Sequence, residues 1–301
     1  MKIKSIKRYS FLHTMLKFGE SNDHEKEYLS LHTIYDDKGN VTEEKKINDD
    51  GETEEINTFS YNDEGKLEEH VMHMLMDDVK EVLKNTRDEK GRLIKEQKFY
   101  GSEPGEATSY VYNDKGSIIE ISQTDEEAVS VSRELIEYNE KNDLVSRTKK
   151  DAAGNILEKT EIIYDEKGNV AAKVEYSGSD NFLNKTEYTY NEKNNIVSAV
   201  QRNEAGKLNE SITYAYDERG NVIEKDIRDF HPRKILFRFD DKNHCIEEEI
   251  YDQNGQLSSK DIFEYDEHGN IISELNYNMD INRMNRDHNA GHRYEYEYRE
   301  E

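Results

Sequence analysis

Apolar and polar residues alternate along this chain in runs of roughly seven to nine, and run after run ends in the same short phrase. In "EYTY", "ITYAY" and "IFEY" the apolar side is carried by Tyr188 and Tyr190, by Ile212, Tyr214 and Tyr216, and by Phe263 and Tyr265. A period of two places those residues on one face of a strand. The phrase that follows is exemplified by "YDEKGNV", Tyr164 to Val170. Aligning the chain on its Gly gives ten copies, with Gly39, Gly65, Gly91, Gly116, Asn142, Gly168, Asn194, Gly220, Asn243 and Gly269 in that slot. The slots lie 26, 26, 25, 26, 26, 26, 26, 23 and 26 residues apart, and a fixed period of that size signals a repeat architecture.

Each position of the phrase has a mechanical reason. Asp or Asn stands three residues before the slot in every copy, as Asp165 and Asp217 do, where its side chain caps its own turn. The slot itself must be left-handed, which Gly and then Asn tolerate best, so Gly168 and Gly220 predict a hairpin with a G1 bulge. Four before the slot is an aromatic in nine of ten copies, including Tyr164 and Tyr216, with Arg87 the exception. Two after it is an apolar residue every time, including Val170, Val222 and Cys245. Those two positions are expected to face each other across the hairpin, a cross-strand pair that adds about 0.2–1 kcal/mol beyond burial.

A second set of turns is marked midway by Gly51, Gly154, Gly206 and Gly255, and by the irregular loops "GSEPG" (101–105) and "SGSDN" (177–181). Each unit is therefore strand, turn, strand, turn. The expected fold is all-β: a repetitive antiparallel meander of 26-residue two-strand units, about twenty strands in all, curled into a spiral, superhelix or partial shell because long sheets twist. The aromatic face is expected inward. Ile94, Ile119, Val197 and Ile223, immediately after the inward position, are expected to make the opposite face partly apolar.

Composition narrows the partners. Against 42 Lys and Arg stand 67 Asp and Glu, a net charge of −25, whose field repels nucleic acid and anionic lipid, so neither is expected as a partner. A protein partner, especially a basic one, suits the sign. No apolar run approaches the length of a spanning helix, and membrane insertion is not expected. Hydrophobic residues make up only 33%, but 20 Tyr, 2 Pro and the strict repeat argue for a folded chain. The single Cys245 excludes an intramolecular disulfide framework. "MKIKSIKRYSFLHTMLKFGE" begins like a signal peptide, but His13, Thr14 and Lys17 break its apolar run, so a cytoplasmic location is expected.

Residues of the form Y-[DN]-x-x-G-[NKR]-[VLI], here "YDDKGNV", "YNDEGKL", "YDEKGNV", "YDERGNV" and "YDEHGNI", resemble the YD repeats of the Rhs (rearrangement hot spot) proteins over roughly residues 31–277. The resemblance implies a long antiparallel sheet spiralling into a hollow shell, often around a C-terminal toxin, with carbohydrate binding proposed for some members. This sequence is shorter than a full shell, lacks a "DPxGL" core motif and shows no toxin-sized segment after the last repeat, so encapsulation and self-cleavage are not carried over. The "NG"-turn repeats of MORN-like antitoxin proteins are similar but lack the Tyr-Asp pair.

Catalytic chemistry finds little purchase. With so many acidic residues, carboxylate pairs arise by chance, and the acidic turns lack the dense ligand spacing of calcium loops. His288 and His292 have the i, i+4 spacing of helical metal ligands, but Asn289 and Gly291 break that helix. His70 and His73 fall on opposite faces of a strand. Cys245 reads as core packing, and no phosphate loop, serine elbow or zinc-type cluster is present. No cofactor, metal or enzymatic activity is therefore expected.

The repeat fails in two places. "HVMHMLM" sets Met72, Met74 and Met76 against Val71, His73 and Leu75, a strand apolar on both sides that is either doubly buried or exposes a Met-rich patch and that, with Arg87, is a candidate partner surface. The ends, 1–30 and 278–301, flank the repeat domain 31–277 as caps, and "HRYEYEY" reads as a closing strand through Tyr294, Tyr296 and Tyr298. The expectation is a non-enzymatic scaffold holding a protein or glycan on a Tyr-lined sheet. The alternative is a component of a bacterial toxin system, either a small shell-like relative or an acidic neutralising partner of a basic toxin.

Overall fold

Alternation becomes strands and the repeated phrase becomes hairpins in the computed structural model, which describes residues 2–13, 27–278 and 289–299. The described residues contain 22 strands and no helix. They divide between two compact units. Met1–Lys80 of the first unit supplies β1 (Ile3–His13), β2 (Tyr28–Tyr35), β3 (Val41–Ile47), β4 (Thr53–Tyr61) and β5 (Leu67–Met74). The second unit holds Glu81–Tyr214, with most of β6 (Val79–Arg87), and β7 (Leu93–Tyr100), β8 (Glu103–Tyr112), β9 (Ile118–Thr124), β10 (Ser130–Tyr138) and β11 (Leu144–Asp151). It continues through β12 (Ile156–Tyr164), β13 (Val170–Ser177), β14 (Asn181–Tyr190), β15 (Ile196–Arg202) and most of β16 (Leu208–Tyr216). β17 (Val222–Arg228) also has residues in both units. β18 (Arg233–Phe239), β19 (Cys245–Tyr251), β20 (Leu257–Tyr265), β21 (Ile271–Asn278) and β22 (Asn289–Tyr298) return to the first.

In the second unit, β6 to β16 pair antiparallel in chain order. The first unit contains the same meander and one further ladder. β1 pairs with β2 on one side and with β22 on the other, so the strands nearest the two chain ends are neighbours rather than edges. β22, which carries the Tyr row of "HRYEYEY", pairs with both β1 and β21.

The repeat phrase folds as its chemistry dictates. In "YDEKGNV", Gly168 has φ +89°, its N–H donates to the Asp165 carbonyl at 3.0 Å, and the Asp165 N–H donates to the Asn169 carbonyl at 2.8 Å. Tyr164 then pairs with Val170 across the bulge. The same aromatic–aliphatic pairing appears at Tyr35 and Val41, Tyr61 and Leu67, Tyr190 and Ile196, and Phe239 and Cys245. Asn142, Asn194 and Asn243 take the slot at φ +71°, +66° and +75°. Each also bonds the residue after the slot of the preceding copy: Asn142 to Ser117 at 2.7 Å, Asn194 to Asn169 at 2.9 Å, and Asn243, accepting from Asn221, at 2.5 Å. Asn therefore compensates for the strain with a bond that Gly cannot make. Gly168→Val is expected to destabilise by about 1–2 kcal/mol through left-handed strain, while Glu166→Ala, at the exposed turn, leaves the denaturation midpoint unchanged. Equal midpoints for the two variants would overturn the turn assignment.

Two expectations need correction. Ile94, Ile119 and Val197 do not begin the opposite face. Leu93 pairs with Arg87 and Lys95 with Thr86, so Ile94 is the extra, unpartnered residue of its bulge, and Ile119 and Val197 stand likewise. The Met-rich segment is not one long strand either: β5 ends at Met74, and Leu75–Asp78 is a midway turn with Asp78 at φ +49°. A further midway turn carries Ala128 at φ +61°, its N–H donating to the Asp125 carbonyl at 3.1 Å. Ala128→Gly is expected to raise stability by about 1 kcal/mol in urea denaturation, because Gly removes the clash that Ala meets there.

Among the described residues little apolar surface is fully buried: Phe11, Ala107, Ile136, Ala172, Val174 and Ile227. Polar and ionic groups share the interior. On β18 to β20 of the first unit, Lys260 Nζ lies 2.7 Å from Glu247 and 2.9 Å from Glu249, and Arg238 lies 2.5 Å from Glu247. The Lys260 and Glu247 side chains are only 8% and 10% exposed.

Candidate functional site

The residues of the repeat phrase are occupied structurally. Asp165 Oδ1 accepts from the Lys167 and Asn169 N–H groups at 2.9 and 2.8 Å, and Oδ2 from the Asn169 amide at 3.3 Å. These bonds, led by the Asn169 N–H, hold its carboxyl below the usual range. The second phrase repeats this: Gly220 has φ +93°, and Asp217 Oδ1 and Oδ2 accept from the Asn221 N–H and amide at 2.8 and 2.9 Å. Tyr216 and Val222 flank that turn at the ends of β16 and β17. Both carboxylate oxygens of Asp165 and of Asp217 thus cap their own turn.

The phenol has a role that sequence reasoning missed. The Tyr164 hydroxyl donates to the Leu144 carbonyl at 2.8 Å, which is the apolar position of the preceding copy. Tyr61 does the same to Val41 at 2.7 Å, Tyr138 to Ile118 at 2.9 Å, Tyr190 to Val170 at 2.9 Å and Tyr265 to Cys245 at 2.8 Å. Tyr296 of β22 extends the series to Ile271 at 2.9 Å. An interval of 20 residues between Tyr and apolar position, recurring in five copies and shortened to 19 between Leu93 and Tyr112, was the available signal. Tyr164→Phe is expected to cost about 1 kcal/mol in thermal or urea unfolding, since it leaves the Leu144 carbonyl without this donor.

The three methionines proposed as a partner surface differ in their setting, and Arg87 belongs to the second unit. Met72 and Met74 are half-buried on the Tyr face, opposite Asn57 and Glu55 of β4, while Met76 lies on the turn and is 89% exposed. Arg87 pairs with Leu93 in register and reaches the Gly91 carbonyl of its own turn at 3.4 Å. His70 stacks on Phe59 at 4.6 Å and bonds Asn57 at 2.8 Å, whereas His73 bonds Asp78 at 2.8 Å, so the two act separately. Burial pushes the Cys245 thiol up, in keeping with packing. His288 lies outside the described residues. His292 meets Ser10 at 3.0 Å instead of a metal-ligand partner, and no metal-ligating cluster occurs among the described residues.

Sequence reasoning also missed a recess on the Tyr face of the second unit. It measures about 410 Å³ and is lined by Ile121 and Gln123 of β9, Ser132 and Glu134 of β10, Arg147 and Lys149 of β11, and Glu158 and Thr160 of β12. Cross-strand register brings these together: Gln123 opposes Ser132, Glu134 opposes Lys149, and Lys149 opposes Glu158. Arg147 pairs with Glu134 at 2.6 Å and Ser132 donates to Gln123 at 2.8 Å. The lining carries two charges of each sign and no aromatic ring. Its residues occupy the midway half of each strand, where side chains turn from aromatic to charged, a change visible in the sequence but not locatable without the register.

No helix among the described residues is long and apolar enough to cross a membrane. No curated protein sequence matches the chain. Among solved structures, TcdB2-TccC3-TEV is 13% identical over 93% of this chain, with a TM-score of 0.35, and this chain spans 19% of that one. TcdB2-TccC3 without its hypervariable C-terminal region is likewise 13% identical, over 87% of this chain and 19% of that one, at 0.35. A porin-like protein from Bacteroides uniformis is 12% identical over 98% of both chains, also at 0.35. A family model described as Teneurin YD-shell matches residues 2–289, nearly the whole chain, in keeping with the ten YD hairpins and their Tyr-to-carbonyl bonds. The chain belongs to the teneurin YD-shell family.

Proposed function

We propose that this YD-repeat scaffold holds a protein partner without turning it over, and that the recess on β9 to β12 is where it does so. The observation that carries this reading is the chemistry of the lining. Paired and single charges of both signs, with Ser, Thr and Gln between them, suit the mixed side chains of a polypeptide. A glycan is the poorer fit: sugar recognition leans on exposed aromatic faces, and here the lining has none while the Tyr hydroxyls of the repeat are spent on backbone carbonyls. Membrane insertion is disfavoured because the strand sides away from the Tyr row mix exposed Glu54, Thr58 and Ser60 of β4 and Glu187 and Thr189 of β14 with exposed Val111 and Ile163, rather than forming an apolar band.

The net charge of −25 favours a basic partner, which also supports the second reading, a neutralising component of a toxin system. The discriminating experiment is a pull-down from the native host at low and high salt beside a glycan array, with wild type and the Lys149→Ala/Glu158→Ala variant. A retained protein that is lost with the variant supports the recess. Loss at high salt alone identifies a charge-steered, basic partner. Glycan binding by both proteins, or capture indifferent to the recess, overturns the proposal.

A further inference from the structure

β1 carries Lys4, Lys7 and Arg8 and no acidic residue, in a chain of strongly negative charge. Two histidines flank it. Lys7 pairs in register with His32 of β2, and Ser10 pairs with His292 of β22, two residues from Arg8. Because Lys7 differs in parity from Arg8 and Ser10, the two histidines meet β1 on opposite faces.

His292 sits in a hydrogen-bond relay built by a bulge. Ser30 is the residue of β2 left without a partner where the register with β1 shifts, and this places its hydroxyl 3.1 Å from the Arg8 carbonyl and 2.6 Å from Ser10 Oγ. Ser30 donates to that carbonyl and Ser10 donates to Ser30. His292 Nδ1, 3.0 Å from Ser10, therefore supplies the proton of its bond and is the donor. Arg8 Nε completes the cluster at 3.2 Å from Ser30. The other groups facing His292 are Glu274 of β21, opposite it in register, and Tyr294 of β22, while Tyr28 of β2 stands opposite Ser10. His32 faces Lys7 of β1, Lys45 and Glu43 of β3, and Glu297 of β22.

We infer that β1 is an acid-labile strand: protonation of His32 and His292 sets a new positive charge against its cations on both faces and drives it out of the ladder between β2 and β22.

Both imidazoles stand below their ordinary value, His32 through burial and then Lys7 and Lys45, and His292 through burial and then Arg8. Glu43 and Glu297 oppose the shift at His32, and Glu274 opposes it at His292. The closed ladder therefore binds fewer protons than the open one, and opening is favoured as pH falls below about 6.5. Each proton contributes up to about tenfold per pH unit to the opening constant. The carboxylates that clamp β1 do not share this window: Arg293 holds Glu295, and Lys4 holds Glu297, below the usual carboxylate range.

Hydrogen exchange read by mass spectrometry at about pH 7.5 and 5.5, corrected for intrinsic exchange rates, tests this on the full chain. The amides of β1 should open at least about tenfold more readily at the lower pH, while those of the β12–β13 hairpin change little. His32→Gln/His292→Asn, in which the Asn amide retains a donor toward Ser10 and His13 and His70 stay in place, should lose that response. An equal response in β1 and the hairpin, or a full response in the double variant, overturns the proposal. If the variant does not fold, the wild-type histidine resonances decide. Midpoints for His32 and His292 below about 6.5 that track β1 exchange support it, and midpoints at or above that value overturn it.

Discussion

Lys260→Met is expected to destabilise the first unit by about 3 kcal/mol, the largest single effect foreseen for this chain. The wild-type cluster balances two cations, Arg238 and Lys260, against Glu247 and Glu249, and Tyr251 donates to the remaining Glu249 oxygen at 2.7 Å. Removing Lys260 leaves one negative charge in excess where the side chains are nearly inaccessible. Arg238 still holds Glu247, which keeps the expected loss at the low end of the range for a broken buried pair. The loss should appear as a lower urea midpoint at unchanged slope, and Lys260→Met/Glu249→Gln should recover much of it. The pH dependence has a definite sign. Glu249 is held below the usual carboxylate range by Lys260 and then Tyr251, so its stabilisation is present above that range and is lost as pH falls through its folded value. Lys260 is raised by Glu247 and Glu249 against the cost of burial, so its share persists until alkaline pH. The gap between wild type and variant should therefore narrow only in acid and in strong alkali.

Gly291→Ala is expected to cost about 2 kcal/mol. Gly291 is buried in β22 between Phe11 of β1 and Leu275 of β21, which oppose it in register on its two sides. A Cβ there would collide with the far edge of the Phe11 ring and lie 3.0 Å from Leu275 Cδ2. The backbone is not left-handed at this position, so the penalty is one of space rather than of φ. Phe11→Leu in the Gly291→Ala background should return part of the loss. A variant as stable as wild type would show that the ring swings aside freely.

These two sites mark where sequence reasoning stops. The hairpins were legible because each is local: seven residues carry the cap, the left-handed slot and the clasping pair, and no distant partner is needed to recognise them. The turn at Leu75–Asp78 and the one at Ala128 were illegible because Asp78 and Ala128 take a left-handed backbone without the Gly or Asn that announces it. The recess and the Lys260 cluster were hidden for another reason. Their members are ordinary charged residues on successive strands, and a shift of one residue in any register would scatter them across both faces. The Ser10, Ser30 and His292 relay lay further out of reach, since it joins strands from opposite ends of the chain through a single bulge.

The recurring bond from a repeat Tyr hydroxyl to the carbonyl of the copy before it has a consequence for how such a chain can change in length. Duplicating or deleting one whole copy leaves these phenols with an acceptor, because donor and acceptor recur at nearly the same interval. An insertion of several residues between an apolar position and the next Tyr moves that donor off its acceptor, whereas the 25-residue copy, where Tyr112 still donates to the Leu93 carbonyl at 2.7 Å, absorbs a change of one. Growth or shrinkage by whole hairpin pairs therefore conserves these bonds, and the tyrosine limits how far a single copy departs from that length.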